Sequence, residues 1–139
     1  MAGTIAVLKE SFAGETRVAA TADSVKKLAG LGLSVIVESG AGLGAAIPDA
    51  DFEAAGATIA KTAKAALKDA DIVLKVRRPS DAEIGALKAG AIVVALLDAY
   101  NNKDTVAALA QKGATGFAME FVPRITRAQV MDVLSSQAN

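Results

Sequence analysis

Arg124, Gln129, Asp132 and Ser135 stand close together near the end of the chain, at what reads as a strand-to-helix junction. A guanidinium, an amide, a carboxylate and a hydroxyl at this spacing offer donors and acceptors for an amide-bearing ligand. At about 100° per residue, Gln129, Asp132, Ser135 and Ser136 share one arc of a helix, while Val130, Val133 and Leu134 share another. Val122-Pro123 cannot continue a central ladder. Thr126 with Gln129 then satisfies a Thr-x-x-Gln capping box, and Arg124 precedes the polar arc. Polar groups held at a helix start beyond a strand's carboxyl end are where α/β proteins bind ligands. The plainer alternative gives Gln129 only its capping bond, pairs Asp132 with Arg124 or Arg127, and leaves the serines as neutral surface.

Two further cations invite the same question. Lys75 interrupts the apolar run Asp71-Ile-Val-Leu-Lys-Val76 near its carboxyl end. A lysine there must snorkel, pair, or bind something, because burying it alone is costly. A ligand-facing role and a structural ion pair both meet that requirement. Arg17, in the loop after the first strand, is a candidate partner for an anionic group at the same sheet edge; otherwise it faces solvent. Gly40, Gly42 and Ala45 nearly fit the dinucleotide fingerprint G-x-G-x-x-G/A, but Ile47-Pro48-Asp49 interrupts the long helix that motif requires. That stretch reads as a flexible turn.

Composition narrows the chemistry. Lys+Arg and Asp+Glu are both 15 in 139 residues, so no net field attracts nucleic acid or an anionic membrane. With no cysteine there is no disulfide or thiolate, and with no histidine the usual general base, any Ser-His-Asp triad and the commonest zinc ligand are excluded. No apolar run reaches the 18 or so residues of a membrane span. Chemistry must come from Lys, Arg, Asp, Glu, Ser or Tyr, or from a bound cofactor.

The elements that must position these groups alternate. Strands are expected over Thr4–Leu8, Ser34–Glu38, Ala57–Ala60 (a brief edge strand), Asp71–Val76, Ala91–Leu97 and Thr115–Phe121. Helices are expected over Ser24–Leu31, capped by Thr21 or Asp23 with Val25, Leu28 and Leu31 inward, then Asp49–Ala55 and Thr62–Lys68. Two more run from Ser80 or Asp81 to Lys88 and from Asn101 or Asn102 to Lys112. The loop Lys9–Val18 is too rich in Gly and charge to be an element. This alternation predicts an α/β domain with a mostly parallel sheet and helices on both faces.

The closing stretch Met119-Glu-Phe-Val-Pro-Arg-Ile-Thr-Arg-Ala-Gln-Val-Met-Asp-Val-Leu-Ser-Ser-Gln-Ala-Asn139 closely resembles the alpha subunit of the proton-translocating NAD(P) transhydrogenases, in the N-terminal domain shared with alanine dehydrogenase. Lys9-Glu10, Gly14-Glu-Thr-Arg-Val18, Gly40-Ala-Gly42, Ala55-Gly-Ala57, Asp71–Val76 and Arg78-Pro79 extend the likeness along the chain. The resemblance implies a flavodoxin-like or Rossmann-like shell domain spanning residues 1–139, with the dinucleotide fingerprint in a second domain absent here. The turn at Gly40–Ala45 is then a decoy, and the chain is one half of a site. In that family residues spaced as Arg124, Gln129, Asp132 and Ser135 lie over the nicotinamide and orient it for hydride transfer to NADP(H).

The same resemblance implies NAD(H) bound by the complete subunit rather than tightly by this chain, no metal, and no activity of this chain alone. It also implies NADP(H)-binding and membrane components as partners, a homodimer, no nucleic acid, and a cytoplasmic position peripheral to the inner membrane. The alanine dehydrogenase branch uses a lysine matching Lys75 and an arginine matching Arg17 to hold pyruvate, and a histidine on the strand before Asn101. Here that strand reads Val93-Val-Ala-Leu-Leu-Asp-Ala-Tyr100, which disfavours amino-acid dehydrogenation. A non-catalytic scaffold domain is the alternative of another class.

Overall fold

The computed structural model describes residues 3–122. Six strands, β1 (Thr4–Val7), β2 (Ser34–Glu38), β3 (Thr58–Ala60), β4 (Ile72–Arg77), β5 (Ile92–Leu96) and β6 (Thr115–Ala118), form one sheet in the order β3-β2-β1-β4-β5-β6. Every pairing is parallel, so the expectation of a mostly parallel sheet holds in its strongest form. The helices are α1 (Ala22–Gly30), α2 (Asp49–Ala54), α3 (Ala63–Leu67), α4 (Asp81–Ala86) and α5 (Lys103–Gln111).

A parallel sheet buries both faces, and the alternation of side chains along each strand supplies two cores. On one face Ala6, Leu8, Val73, Val93 and Ala95 pack with Leu67 of α3, Ile84 of α4 and Leu109 of α5. On the other, Val7, Val35 and Val37 pack with Val25 of α1 and Phe52 of α2. Val7, Leu8, Val25, Phe52 and Leu67 are wholly buried. At roughly 25 cal/mol per Å², burying such side chains is the dominant favourable contribution.

Local chemistry sets the helix starts. Thr21 accepts from the Ser24 N–H, and Thr62 from the Ala65 N–H. Ser80 and Glu83 form a reciprocal capping box. Several boundaries differ from expectation. Leu31 is not inward: it is the C-cap residue of α1 and 77% exposed, past the last turn that faces the sheet. Helix α4 ends at Ala86, where Leu87 turns extended and buries its side chain. Strand β6 stops at Ala118, and a short 3-10 turn over Met119–Phe121 follows. That turn carries the Glu120 carboxylate back to the N–H groups of Leu97 and Ala99, at 3.0 Å each. Arg124, Gln129, Asp132 and Ser135, with the helix expected after Thr126, lie outside the described residues.

Candidate functional site

The chain leaves β1 toward β2 and leaves β4 toward β5, in opposite directions along the sheet. The carboxyl ends of β1 and β4 therefore form the topological switch point, where open α/β sheets bind ligands. Lys75 and Arg17 both lie on this rim, in two ion-pair groups linked through Arg77, whose backbone N–H donates to Glu10 and whose side chain pairs with Glu15.

Lys75 shares a face of β4 with buried Val73, and its side chain has no exposed surface. Its Nζ lies 3.2 Å from Glu83 Oε1, 3.3 Å from Oε2, and 3.9 Å from Glu10 Oε1. Glu83 is fixed by its capping box, accepting from the Ser80 N–H at 2.8 Å. Of the two sequence readings for Lys75, this geometry matches the ion pair. The strand is irregular at this point: Leu74 pairs with Val94 but Arg77 with Leu96, so β4 holds one residue more than β5 between the two pairs. Such bulges re-aim side chains at strand ends.

Glu10 completes the bulge. Backbone pairing between β1 and β4 ends with the Leu8 N–H and the Leu74 carbonyl, at 3.5 Å. Beyond it the Glu10 carboxylate accepts from the N–H groups of Val76 and Arg77 at 2.9 Å each. Glu38, at the end of β2, likewise accepts from the Lys9 N–H at 2.8 Å. With Glu120 between β6 and β5, three carboxylates thus take the donors of strands leaving the sheet.

Arg17 is anchored locally. Its Nε donates to Glu15 Oε1 at 2.7 Å and its Nη2 to Glu15 Oε2 at 2.8 Å, in the two-pronged geometry that suits arginine and carboxylate. Arg77 Nε donates to Glu15 Oε2 at 2.8 Å. The Arg17 guanidinium holds the Glu15 carboxyl down at about 2, from an ordinary 4.5; burial opposes this, and Arg77 adds to the lowering. Both arginines keep part of their surface in solvent, while the Glu15 side chain is almost wholly covered. Phe12, in the same loop, lies 4.7 Å beneath the Arg78 guanidinium carbon and 6.0 Å from that of Arg77.

The glycine-rich stretch is a turn, and a packed one. The Ile47 N–H returns to the Gly42 carbonyl at 2.8 Å, and a Cβ on Gly42 would meet the Ile47 oxygen at 2.5 Å and Phe52 at 2.7 Å. Gly44 lies against the Thr16 backbone. Asp49 accepts from the Gly40 N–H and the Ser39 hydroxyl, which hold its carboxyl below the usual range. The space a pyrophosphate would need beside these glycines is filled by Ile47 and Phe52. In the stretch Val93–Tyr100, Asp98 adopts φ 49° and accepts from the Asn101 and Asn102 side-chain amides. Among the described residues no group of His, Cys, Asp and Glu could hold a metal ion, and no helix is long and apolar enough to cross a membrane.

Sequence reasoning does not single out Glu10, Glu15, Glu83, Arg77 or Arg78 as site residues. Ser80-Asp-Ala-Glu83 carries a readable capping signal, but nothing local marks Glu10 as the partner of backbone 66 residues away.

Strand order, two covered faces and a charged rim at the switch point define a doubly wound, Rossmann-like α/β domain. The profile of the family described as "Alanine dehydrogenase/PNT, N-terminal domain" matches residues 6–139, and the chain belongs to that family. It is 53% identical to the first portion of NAD(P) transhydrogenase subunit alpha of Rhodospirillum rubrum, over 97% of this chain and 36% of the relative. Alanine dehydrogenase of Mycobacterium tuberculosis is 40% identical over 85% of this chain and 32% of its own length. The crystal structure of transhydrogenase from Sinorhizobium meliloti superposes with a TM-score of 0.93 at 54% identity, covering 97% of this chain and 40% of that one. The chain thus spans about a third of the curated relatives it matches.

Proposed function

We propose that this chain forms the shell half of the NAD(H)-binding component of a proton-translocating NAD(P) transhydrogenase. That enzyme moves hydride from NADH to NADP⁺ with coupled proton movement. The likeness to a transhydrogenase subunit over 97% of the chain supports the reading. The observation that carries it beyond family membership is the occupied rim. Lys75, which the alanine dehydrogenase branch would use on an oxo-acid, is engaged by Glu83 and Glu10, and no histidine stands between Val93 and Tyr100.

The dinucleotide supplies the hydride; the chain's part is orientation and electrostatics. Arg124, Gln129, Asp132 and Ser135 are assigned to the nicotinamide by resemblance alone. A second, nucleotide-binding domain, implied by the family resemblance, holds the rest of the cofactor; the packing of Ile47 and Phe52 against Gly42 supports this. NADP(H)-binding and membrane components, and a second copy of the subunit, are the remaining partners. Through them the domain sits on the cytoplasmic side of the inner membrane.

Calorimetric titration with NADH tests this. No binding to this chain, and binding once the nucleotide-binding domain is supplied, is the expected result. In the complete subunit Arg124→Ala and Gln129→Ala slow hydride transfer more than they weaken NADH binding; equal losses would remove the orienting role. Robust amination of pyruvate by that subunit would overturn the proposal in favour of an alanine dehydrogenase. Absence of any nucleotide binding would leave a scaffold domain.

A further inference from the structure

The rim holds more cationic charge than its carboxylates neutralise. Arg17, Lys75, Arg77 and Arg78 stand with Glu10, Glu15 and Glu83 at the ends of β1 and β4, in a chain whose charges balance overall. The carboxylates are already committed. Glu83 and Glu10 serve Lys75 and backbone N–H groups, and both oxygens of Glu15 serve Arg17, with Oε2 shared by Arg77. Arg77 gives only its Nε to that carboxylate, and its side chain is 49% exposed. Among the described residues Arg78 has a ring contact and no ion pair. Two guanidiniums are thus held near one ring, with N–H groups that take no partner among the described residues.

We propose that Arg77 and Arg78, held at the Phe12 ring, form a binding subsite for a phosphate-bearing small ligand at the carboxyl ends of β1 and β4. Three properties favour phosphate. The guanidinium fork matches two phosphate oxygens at once. The Glu15 bond and the ring contacts fix the forks in advance, so little side-chain freedom is lost on binding. The crevice at a sheet's switch point is also where small ligands of this architecture enter. The subsite is independent of the hydride-transfer reading, because phosphate binding is measurable whether or not hydride moves.

The test is NMR titration of the 139-residue chain with inorganic pyrophosphate at low salt, following the arginine Nε–H signals. Saturable shifts at Arg77 and Arg78 are expected, weakening as salt is raised. Arg77→Gln and Arg78→Gln should each lower affinity by roughly tenfold or more. Phe12→Leu, which keeps every charge but removes the ring, should lower it severalfold. Arg78→Gln is the variant safest to fold, since it removes no ion pair among the described residues. Pyrophosphate that fails to saturate the native chain, or binds Arg78→Gln as well as the native chain, overturns the subsite. Loss of association with the NADP(H)-binding component in these variants, without any pyrophosphate binding, would instead make the pair a protein-docking site and also overturn it.

Discussion

Lys75 Nζ and Glu83 Oε1 are 3.2 Å apart, and the pair joins the buried face of β4 to the first turn of α4. Glu83 serves as helix cap and counter-ion together. A neutral side chain at Lys75 would leave Glu83 charged in a covered place. One at Glu83 would leave Lys75 only the more distant Glu10, so part of the lost solvation is not recovered.

Glu83→Ala is expected to lower unfolding stability by about 3 kcal/mol, since it removes both the nearer counter-ion of Lys75 and the capping bond. Glu83→Gln keeps the cap, because glutamine serves equally in the capping box, and should cost about 1 to 2 kcal/mol. Urea unfolding midpoints at unchanged slope measure both. An alanine variant that unfolds within about 0.5 kcal/mol of the native chain would show that this pair does not fasten α4 to the sheet.

Glu15 sets an acid limit. Its carboxyl is held at about 2 in the fold and near 4.5 when unpaired. A carboxyl lowered on folding contributes stability that is complete above the unfolded value and disappears as pH falls toward the folded one. The contribution of Glu15 should therefore be full above pH 4.5 and fade between 4.5 and about 2. Denaturant titrations across that window should show a steeper loss in the native chain than in Glu15→Gln. Parallel profiles would mean that the Arg17 and Arg77 contacts do not favour the ionised form.

Two glycines should respond oppositely to alanine. At Gly42 an added methyl meets the Ile47 oxygen at 2.5 Å and Phe52 at 2.7 Å, so Gly42→Ala should cost about 2 kcal/mol through forced repacking. At Gly85, inside α4, nothing lies within 4 Å of the added methyl. Gly85→Ala should add about 0.5 to 1 kcal/mol by favouring the helix. Thermal unfolding of the two variants distinguishes these signs; a neutral Gly42→Ala would mean that the turn relaxes freely.

What can be read from the sequence follows how locally each feature is written. Apolar runs such as Ile92–Leu96 fall to the sheet because both faces are covered, and Thr21, Thr62 and Ser80 mark their helix starts with a nearby hydroxyl. Leu31 misleads because the helical period continues one residue beyond the helix. The sixth strand misleads because the end of Thr115–Ala118 is set by Glu120 reaching across to β5, a long-range contact. The site shows the same division. Lys75 is conspicuous as a charge in an apolar run, but its partners Glu10 and Glu83 lie on other segments that only the fold brings near. Arg78 stands out in the sequence only as part of the stretch Arg78-Pro79, and the ring beneath it comes from the segment after β1.

The carboxylates of Glu38 and Glu120 receive N–H groups just past the last paired residue of the neighbouring strand, and that of Glu10 receives two from β4 past its pairing with β1. The ligand edge of the sheet is therefore hemmed by side chains, one at a strand end (Glu38) and two on the connections that follow strands (Glu10 and Glu120). Those connections can vary around the two carboxylates without unravelling the strand ends below. A margin of this kind lets one scaffold exchange its specificity piece by piece while its frame stays closed.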